Sequence, residues 1–165
     1  MRLHCTVLAL LATVASGVPA AAQSSNEAAS FRVFLRGSAI GGEDVAVRQT
    51  PEGVTITASG RLAAPLDLVM RQCLVRYDAG WRPVDLSVDA IARGAALTIK
   101  TTFAEGRAES EVTQAGAPTR KTDVVSADPV VLPNVCFSAY EALALRLGGV
   151  ADGAAIRAYV APQAE

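Results

Sequence analysis

The feature that most constrains this chain is an alternation of apolar and polar residues, in short runs separated by turn residues. In the clearest run, Val84, Leu86, Val88 and Ala90 alternate with Asp85, Ser87 and Asp89. Successive side chains of a strand point to opposite faces of a sheet, so this period of two predicts a strand with one apolar and one polar face. Such runs recur about nine times between residues 31 and 160, at intervals of roughly ten residues. We therefore expect an antiparallel sheet with one face in water.

A single stretch, residues 134–147, has the period of a helix instead. Its apolar residues recur at spacings of three and four, and Gly148 follows as a stop signal. They are Phe137, Tyr140, Leu143, Ala144 and Leu147. A short helix does not hold an apolar face on its own, so the sheet must receive it. We expect a mainly β fold in which a curved antiparallel sheet of about nine strands, a half-barrel, wraps around this one helix near the C-terminus.

Two starts are compatible with the residues around this helix. Asn134 follows a proline and has the side chain of an N-cap, whose oxygen binds the first free backbone N–H groups. Ser138 is followed three residues later by Glu141, which is the spacing of a capping box. The two starts differ by one turn, and both place the capping side chain within the helix region itself.

Residues 1–22 have the pattern of a secretory signal peptide. A basic start precedes an apolar run that continues to Val18, and alanines at 20–22 provide the small residues of a cleavage site. The run is shorter than the ~20 residues of a spanning helix, which favours cleavage over a retained membrane anchor. The expected mature chain has a flexible lead-in at 23–30 and a single β-rich domain at 31–162, located in the periplasm or outside the cell.

Composition and charge exclude several classes of function. The chain has 15 basic and 16 acidic residues spread along its length, so we expect no basic face for nucleic acid. Its one histidine, His4, lies in the predicted signal peptide. The mature chain then has no imidazole for a Ser–His or Cys–His pair or for a histidine metal site. We expect a non-catalytic protein without a metal, a cofactor or a transmembrane segment in its mature form.

Two cysteines, Cys73 and Cys136, remain in the predicted mature chain. An even number in an oxidising compartment permits a disulfide between the middle of the sheet and the start of the helix. Such a bond closes a loop of about 60 residues and adds roughly 4 kcal/mol of stability in the chain-entropy account. The alternative is a pair of buried free thiols that pack as small hydrophobic side chains.

Several positions on the predicted inner face carry small side chains where a tight core often has Leu or Phe. They include Ala58, Ala90, Thr101, Ala108, Ser110 and Ala158. Protein interiors are close-packed, so something must fill this space. The occupant is either the helix alone or the helix together with an apolar ligand. For a ligand, we expect a groove edged by Phe103, Phe137, Tyr140 and Leu143.

Carboxylates and a tyrosine near the helix leave a catalytic interpretation open. It requires a pocket that gathers at least two of the four side chains Asp123, Asp128, Tyr140 and Glu141. No histidine or nucleophile motif accompanies them. Core packing for Tyr140 and capping for Glu141 are the simpler interpretations.

The opening strand and turn have the form F-x-V-x-x-x-G-x-x-I-G-x-E, and a meander of strands and a helix before the last strand follow. The matching residues are Phe31, Val33, Gly37, Ile40, Gly41 and Glu43. This layout resembles the half-barrel domains of bacterial envelope proteins related to lipoprotein carriers. The resemblance implies a curved sheet around a helix and an apolar groove for acyl chains, with an apolar small molecule or a lipid as the partner.

A second resemblance rests on LPN at 132–134 and YEALALRL at 140–147. These segments resemble the β-rich N-terminal region ahead of the catalytic domain in some secreted bacterial α/β hydrolases. The G-x-S-x-G nucleophile motif of those hydrolases does not occur in this sequence. The resemblance therefore implies an accessory or protein-interaction module, which contacts an envelope protein through an edge strand or its polar face.

Overall fold

The computed structural model describes residues 24–162. Eight strands form one antiparallel sheet, in which each strand pairs with the next along the chain. They are β1 (Ser25–Leu35), β2 (Ser38–Thr50), β3 (Gly53–Leu62), β4 (Leu68–Asp78), β5 (Pro83–Ala92), β6 (Ala95–Ala104), β7 (Arg107–Gln114) and β8 (Ala117–Val124). Within the described range β1 and β8 are the two edges and do not pair with each other, so the sheet is open. The predicted signal peptide lies outside the described residues.

The chain after β8 forms a small second layer. β9 (Val130–Leu132) pairs in parallel with β10 (Ala158–Val160), and between them lie a 3₁₀-helix (Phe137–Ala139) and α1 (Tyr140–Leu147). No helix in the described part of the chain is both long and apolar enough to cross a membrane. The predicted mainly β fold, an antiparallel sheet with one short helix near the C-terminus, is confirmed.

Two details of the strands differ from the sequence prediction. The last strand, β10, belongs to the separate two-stranded sheet rather than to the main sheet. In addition, β1 begins at Ser25, inside the segment expected to be a flexible lead-in, because residues 25–30 pair with Asp44 to Gln49 of β2. Backbone hydrogen bonding to a neighbouring strand extends this edge strand into residues that carry no apolar pattern.

The turns explain why the strands pair in chain order. Four hairpins turn through two residues that both have positive φ, which is the conformation of a type I′ turn. They are Arg36–Gly37, Arg93–Gly94, Glu105–Gly106 and Ala115–Gly116. Glycine adopts this conformation without strain, and the twist of the turn matches the twist of two antiparallel strands. Each of these pairs therefore folds a strand back onto the one before it.

The core lies on the inner face of the sheet. Side chains at alternate positions of the strands are almost fully buried there, including Ile56, Val75, Leu86, Val88, Ile99 and Val112. The outer face is polar and carries ion pairs between neighbouring strands, such as Arg71 with Asp89 and Arg76 with Asp85. The period of two in the sequence thus separates the core face from the solvent face.

Two polar contacts position the second layer. The Val131 N–H donates to the hydroxyl of Tyr77 on β4 at 2.9 Å, and burial raises the pKa of Tyr77 to about 12, so this hydroxyl stays neutral. On α1, Arg146 donates to the backbone oxygen of Asp128 and to its carboxylate, the latter at 2.9 Å. The first contact fixes β9 against the sheet, and the second fixes α1 against the segment that leads into β9.

Candidate functional site

A buried carboxylate anchors the start of the helical segment to the sheet. Glu43 lies on β2 at an inward position and is only 2% exposed. Its oxygens accept hydrogen bonds from the backbone N–H of Phe137 at 3.1 Å and of Ser138 at 2.7 Å, and from the Ser138 hydroxyl at 2.6 Å. A carboxylate is favourable at a helix start, where free N–H groups need acceptors. Glu43 therefore caps the start of the 3₁₀-helix, although it lies 94 residues before Phe137 in the sequence.

The neighbouring strand makes room for this side chain. Gly60 on β3 stands directly opposite Glu43 in the strand pairing. A Cβ atom at Gly60 would lie 2.8 Å from Glu43 Cγ and 2.6 Å from the backbone oxygen of Gly42, both shorter than carbon atoms normally allow. A glycine at this position is what permits the glutamate to turn inward.

The capping residues predicted from local sequence were wrong. The residue before the 3₁₀-helix is Cys136, and no side chain in the described segment caps either helix locally. The Ser138 hydroxyl donates to Glu43 instead of accepting from the N–H of Glu141. The physical reason is that the carboxylate of Glu43 presents two separate charged oxygens, which form stronger hydrogen bonds to the N–H groups of Phe137 and Ser138 than a neutral hydroxyl does. The sequence did hold a signal, because Glu43 stands at the same inward parity as Val45 and Val47.

An apolar cavity of about 260 Å³ opens beside this anchor. It lies at the end of the sheet where β3 and β5 end and β4 and β6 begin, and the segment before the 3₁₀-helix covers one side. Its apolar walls are Leu62, Leu66, Leu68, Ala92, Leu97, Ile99, Val135 and Phe137, and its polar residues are Arg93, Gln114 and Asn134. We call this space the apolar cavity.

The structure separates the four residues predicted to edge a ligand groove. Phe137 lines the apolar cavity and is 40% exposed. Leu143 is half-buried against the core, and Tyr140 is 52% exposed outside the cavity. Phe103 lies at the opposite end of β6, where its ring packs edge-on against Tyr159 with 5.4 Å between centroids. Phe137 is thus the one predicted residue at this cavity, and the strand ends provide the other walls.

A polar network occupies the core near Tyr159. The hydroxyls of Thr101 and Ser110 are 2.8 Å apart, and the Tyr159 hydroxyl lies 3.2 Å from Ser110 and donates to Asp123 at 3.2 Å. Burial raises the pKa of Tyr159, and the nearby negative charge of Asp123 adds to the rise. These hydrogen bonds give each buried hydroxyl a partner, as buried polar groups require, in the part of the inner face where the side chains are small.

The four groups of the catalytic interpretation have different partners. Asp123 accepts from Tyr159 and pairs with Lys121 at 3.0 Å, whereas Asp128 pairs with Arg146. In residues 24–162, no hydrogen bond or ion pair joins Asp123 or Asp128 to Tyr140 or Glu141. The described contacts therefore give no support to an acid–base pair formed by these side chains.

No protein-family model, no curated protein and no solved structure matches the chain. The resemblances to envelope half-barrel domains and to hydrolase N-terminal regions therefore stay predictions. The function proposed for the chain rests on its own cavity and side chains.

Proposed function

We propose that this chain is an exported, non-catalytic protein that binds a small apolar or lipid-like molecule in the apolar cavity. The observation that supports this proposal is the cavity itself, because it is a space of about 260 Å³ with mostly apolar walls at one end of the sheet. Small-molecule sites are typically concave, mainly apolar and edged by a few polar groups. This cavity has that composition.

The size of the cavity restricts the ligand. Small-molecule pockets usually begin at about 300 Å³, slightly above the volume of this one. A drug-sized or two-chain molecule does not fit inside it, whereas one short acyl chain, or the end of a longer chain, does. The ligand class is therefore a single-chain amphiphile.

The rim of the cavity indicates the charge of the head group. Arg93 lines the cavity from the turn between β5 and β6, and its side chain is exposed. Within residues 24–162 it makes no ion pair, unlike Arg71 and Arg76 on the outer face. A guanidinium at the mouth of an apolar space complements a carboxylate on an acyl chain. We therefore assign the ligand an anionic head.

Isothermal titration calorimetry with octanoate, octanol and octylamine tests both parts of the proposal. We expect octanoate to bind most tightly, octanol more weakly and octylamine weakest. Arg93→Gln should weaken octanoate binding about tenfold and leave octanol unchanged, since a partly exposed charge-assisted hydrogen bond is worth about 1.4 kcal/mol. Arg61→Gln is the matched control. Arg61 is also an exposed arginine and directly precedes the cavity residue Leu62, but its side chain lies on the outer face of the sheet.

Two results of this titration would contradict the proposal in different ways. Binding of none of the three compounds would refute the cavity as a ligand site. Equal binding of octanoate and octanol, unchanged by Arg93→Gln, would support the cavity as an apolar ligand site but refute the assignment of an anionic head group to the ligand. Native mass spectrometry of protein purified without detergent then checks whether a ligand is already present.

The exposed edge of the sheet favours a protein-interaction module as a second candidate function. β1 has a free edge, and its apolar side chains Phe31, Phe34 and Leu35 are exposed, with Phe34 at 60%. Free strand edges recruit extended segments of other proteins through backbone hydrogen bonds. A partner with an exposed apolar strand fits this edge.

Capture from an envelope fraction tests the second candidate. We expect the protein to retain a stoichiometric partner and Phe34→Lys to lose it, because a lysine on an edge strand opposes strand addition. Val124→Lys is the control, since Val124 is 90% exposed on the other edge strand, β8. Equal capture by all three proteins would contradict a role for β1.

A further inference from the structure

The two cysteines in the described part of the chain are both buried in the core. Cys73 is an inward residue of β4, paired with Ala58 of β3 and Val88 of β5, and Cys136 directly precedes the 3₁₀-helix. Each is a free thiol in this structure and is about 1% exposed. Glu43, which binds the two residues after Cys136, pairs with Gly60 of β3, two positions from the partner of Cys73, so both cysteines lie in the same part of the core. In line with this placement, the Cys136 thiol, and then burial, raise the pKa of Cys73 well above its usual range. The strands β5 to β9 separate the two residues in sequence, so the fold alone brings them together.

We propose that Cys73 and Cys136 form a disulfide in an oxidising environment and that this bond fastens the helical segment to the centre of the sheet. Cys73 on a central strand and Cys136 on the covering segment are buried in the same core, which places the two thiols for a cross-link. The bond and the Glu43 anchor would hold the same short stretch, residues 136–138, from two sides. The disulfide would therefore keep this stretch in place where it covers the apolar cavity.

The bond forms by exchange with an external disulfide such as oxidised glutathione. The thiolate of one cysteine attacks a glutathione sulfur, which gives a mixed disulfide and releases one glutathione thiolate. The thiolate of the second cysteine then attacks the cysteine sulfur of the mixed disulfide and releases the second glutathione thiolate. The two protons lost by the cysteines go to the released thiolates. The chain loses two electrons, and oxidised glutathione gains them.

Burial determines when this exchange takes place. Neither sulfur is accessible in the folded protein, and the charge of Glu43 adds to the factors that keep Cys73 protonated. Only the thiolate attacks a disulfide, so exchange in the folded state is slow. The bond therefore forms while the helical segment is undocked, and the same burial then protects it from reductants.

Refolding the full chain from denaturant in a glutathione redox buffer tests the bond directly. After alkylation and trypsin digestion, we expect one linked species that joins peptide 72–76 to peptide 122–146, with a mass lower by two hydrogen atoms than the sum of the free peptides. Peptide mapping is needed because the chain has a third cysteine, Cys5, outside the described residues. Alkylated Cys73 and Cys136, glutathione adducts on either, or a link to Cys5 would each overturn the proposal.

The melting temperature provides a second and independent readout. We expect protein refolded in the presence of a reductant to melt about 10 °C below protein refolded in the glutathione buffer. Cys73→Ala and Cys136→Ala each leave a buried space, which lowers stability in both redox states, so the measured quantity is the difference between oxidised and reduced samples of one variant. This difference should vanish in both variants and persist in Cys5→Ala. A variant of Cys73 or Cys136 that keeps the difference would overturn the proposal.

Discussion

Replacing Glu43 with alanine is expected to lower the free energy of unfolding by about 3 kcal/mol. The change leaves two backbone N–H groups and the Ser138 hydroxyl without their acceptor, and each buried unsatisfied group costs about 1–3 kcal/mol. The sum is reduced because Phe137 stands partly exposed, so water reaches part of the site. A loss of this size is large against the ~5–15 kcal/mol stability of a typical domain.

Denaturant unfolding followed by the fluorescence of the single tryptophan, Trp81, measures this loss. The matched control is Asp44→Ala. Asp44 is the adjacent carboxylate, but it is exposed and accepts one hydrogen bond from Ser30, so its removal should change stability by less than about 0.5 kcal/mol.

Glu43→Gln separates the acceptor role of the side chain from its packing. It keeps the size of the side chain and one acceptor oxygen but turns an NH₂ group toward N–H donors, so about half of the alanine effect is expected. If alanine at 43 and alanine at 44 cost the same, the loss would reflect general charge and the anchor assignment would be refuted.

The Glu43 anchor also bears on the cavity, because the two share a residue. Phe137 donates its N–H to Glu43 and lines the apolar cavity with its side chain. Ser138, the next residue after Phe137, is also bound by Glu43 and is fully buried. Loss of the carboxylate therefore frees the stretch that covers the cavity, and Glu43→Ala should weaken ligand binding as well as stability.

The strands were predictable because their information is local. Alternation and X-Gly turns such as Arg93–Gly94 act within a few residues, and they specify the two faces of the sheet and the order of pairing. The strand at residues 25–30 was not predicted, because this segment is polar and its strand structure depends on pairing with β2 rather than on its own pattern.

The Glu43 anchor was hidden because it joins residues that are far apart in sequence. The local pattern around Ser138 favoured a capping box with Glu141, and nothing near the helix indicated that a carboxylate from another strand would bind there. The indication lay in β2, where a glutamate occupies a position that alternation reserves for the core, and in the glycine opposite it, Gly60. A charged residue at an inward position of a strand is a reason to search for distant donors.

The cavity could be predicted only in outline. Small inward side chains indicated spare space on the concave face, but part of that space, around Thr101 and Ser110, holds the hydroxyl network with Tyr159. The helical period identified Phe137 as apolar without showing that it stands next to a gap. Which strand ends meet beneath it depends on the register of the three hairpins that join β3 to β6, and periodicity alone does not specify that register.

Ala92→Phe is expected to abolish binding of octanoate, with at least a hundredfold rise in the dissociation constant. Ala92 is the inward residue at the end of β5 and lines the apolar cavity, so a phenyl ring at this position occupies the space that the acyl chain needs. Because the ring fills an existing cavity, we expect stability to change by less than about 1.5 kcal/mol. The same titration as for Arg93→Gln, together with a melting curve, measures both quantities.

Ala96→Phe is the matched control, because Ala96 lies in the same hairpin but is exposed on the outer face, where it pairs with Ile91. It should bind octanoate as the unmodified protein does. If Ala92→Phe proves unfolded, Ala92→Leu takes its place, since it fills part of the same space with less strain. A folded Ala92 variant that binds octanoate with unchanged affinity would show that the ligand lies elsewhere, and the free edge of β1 would then be the surface to which function should be assigned.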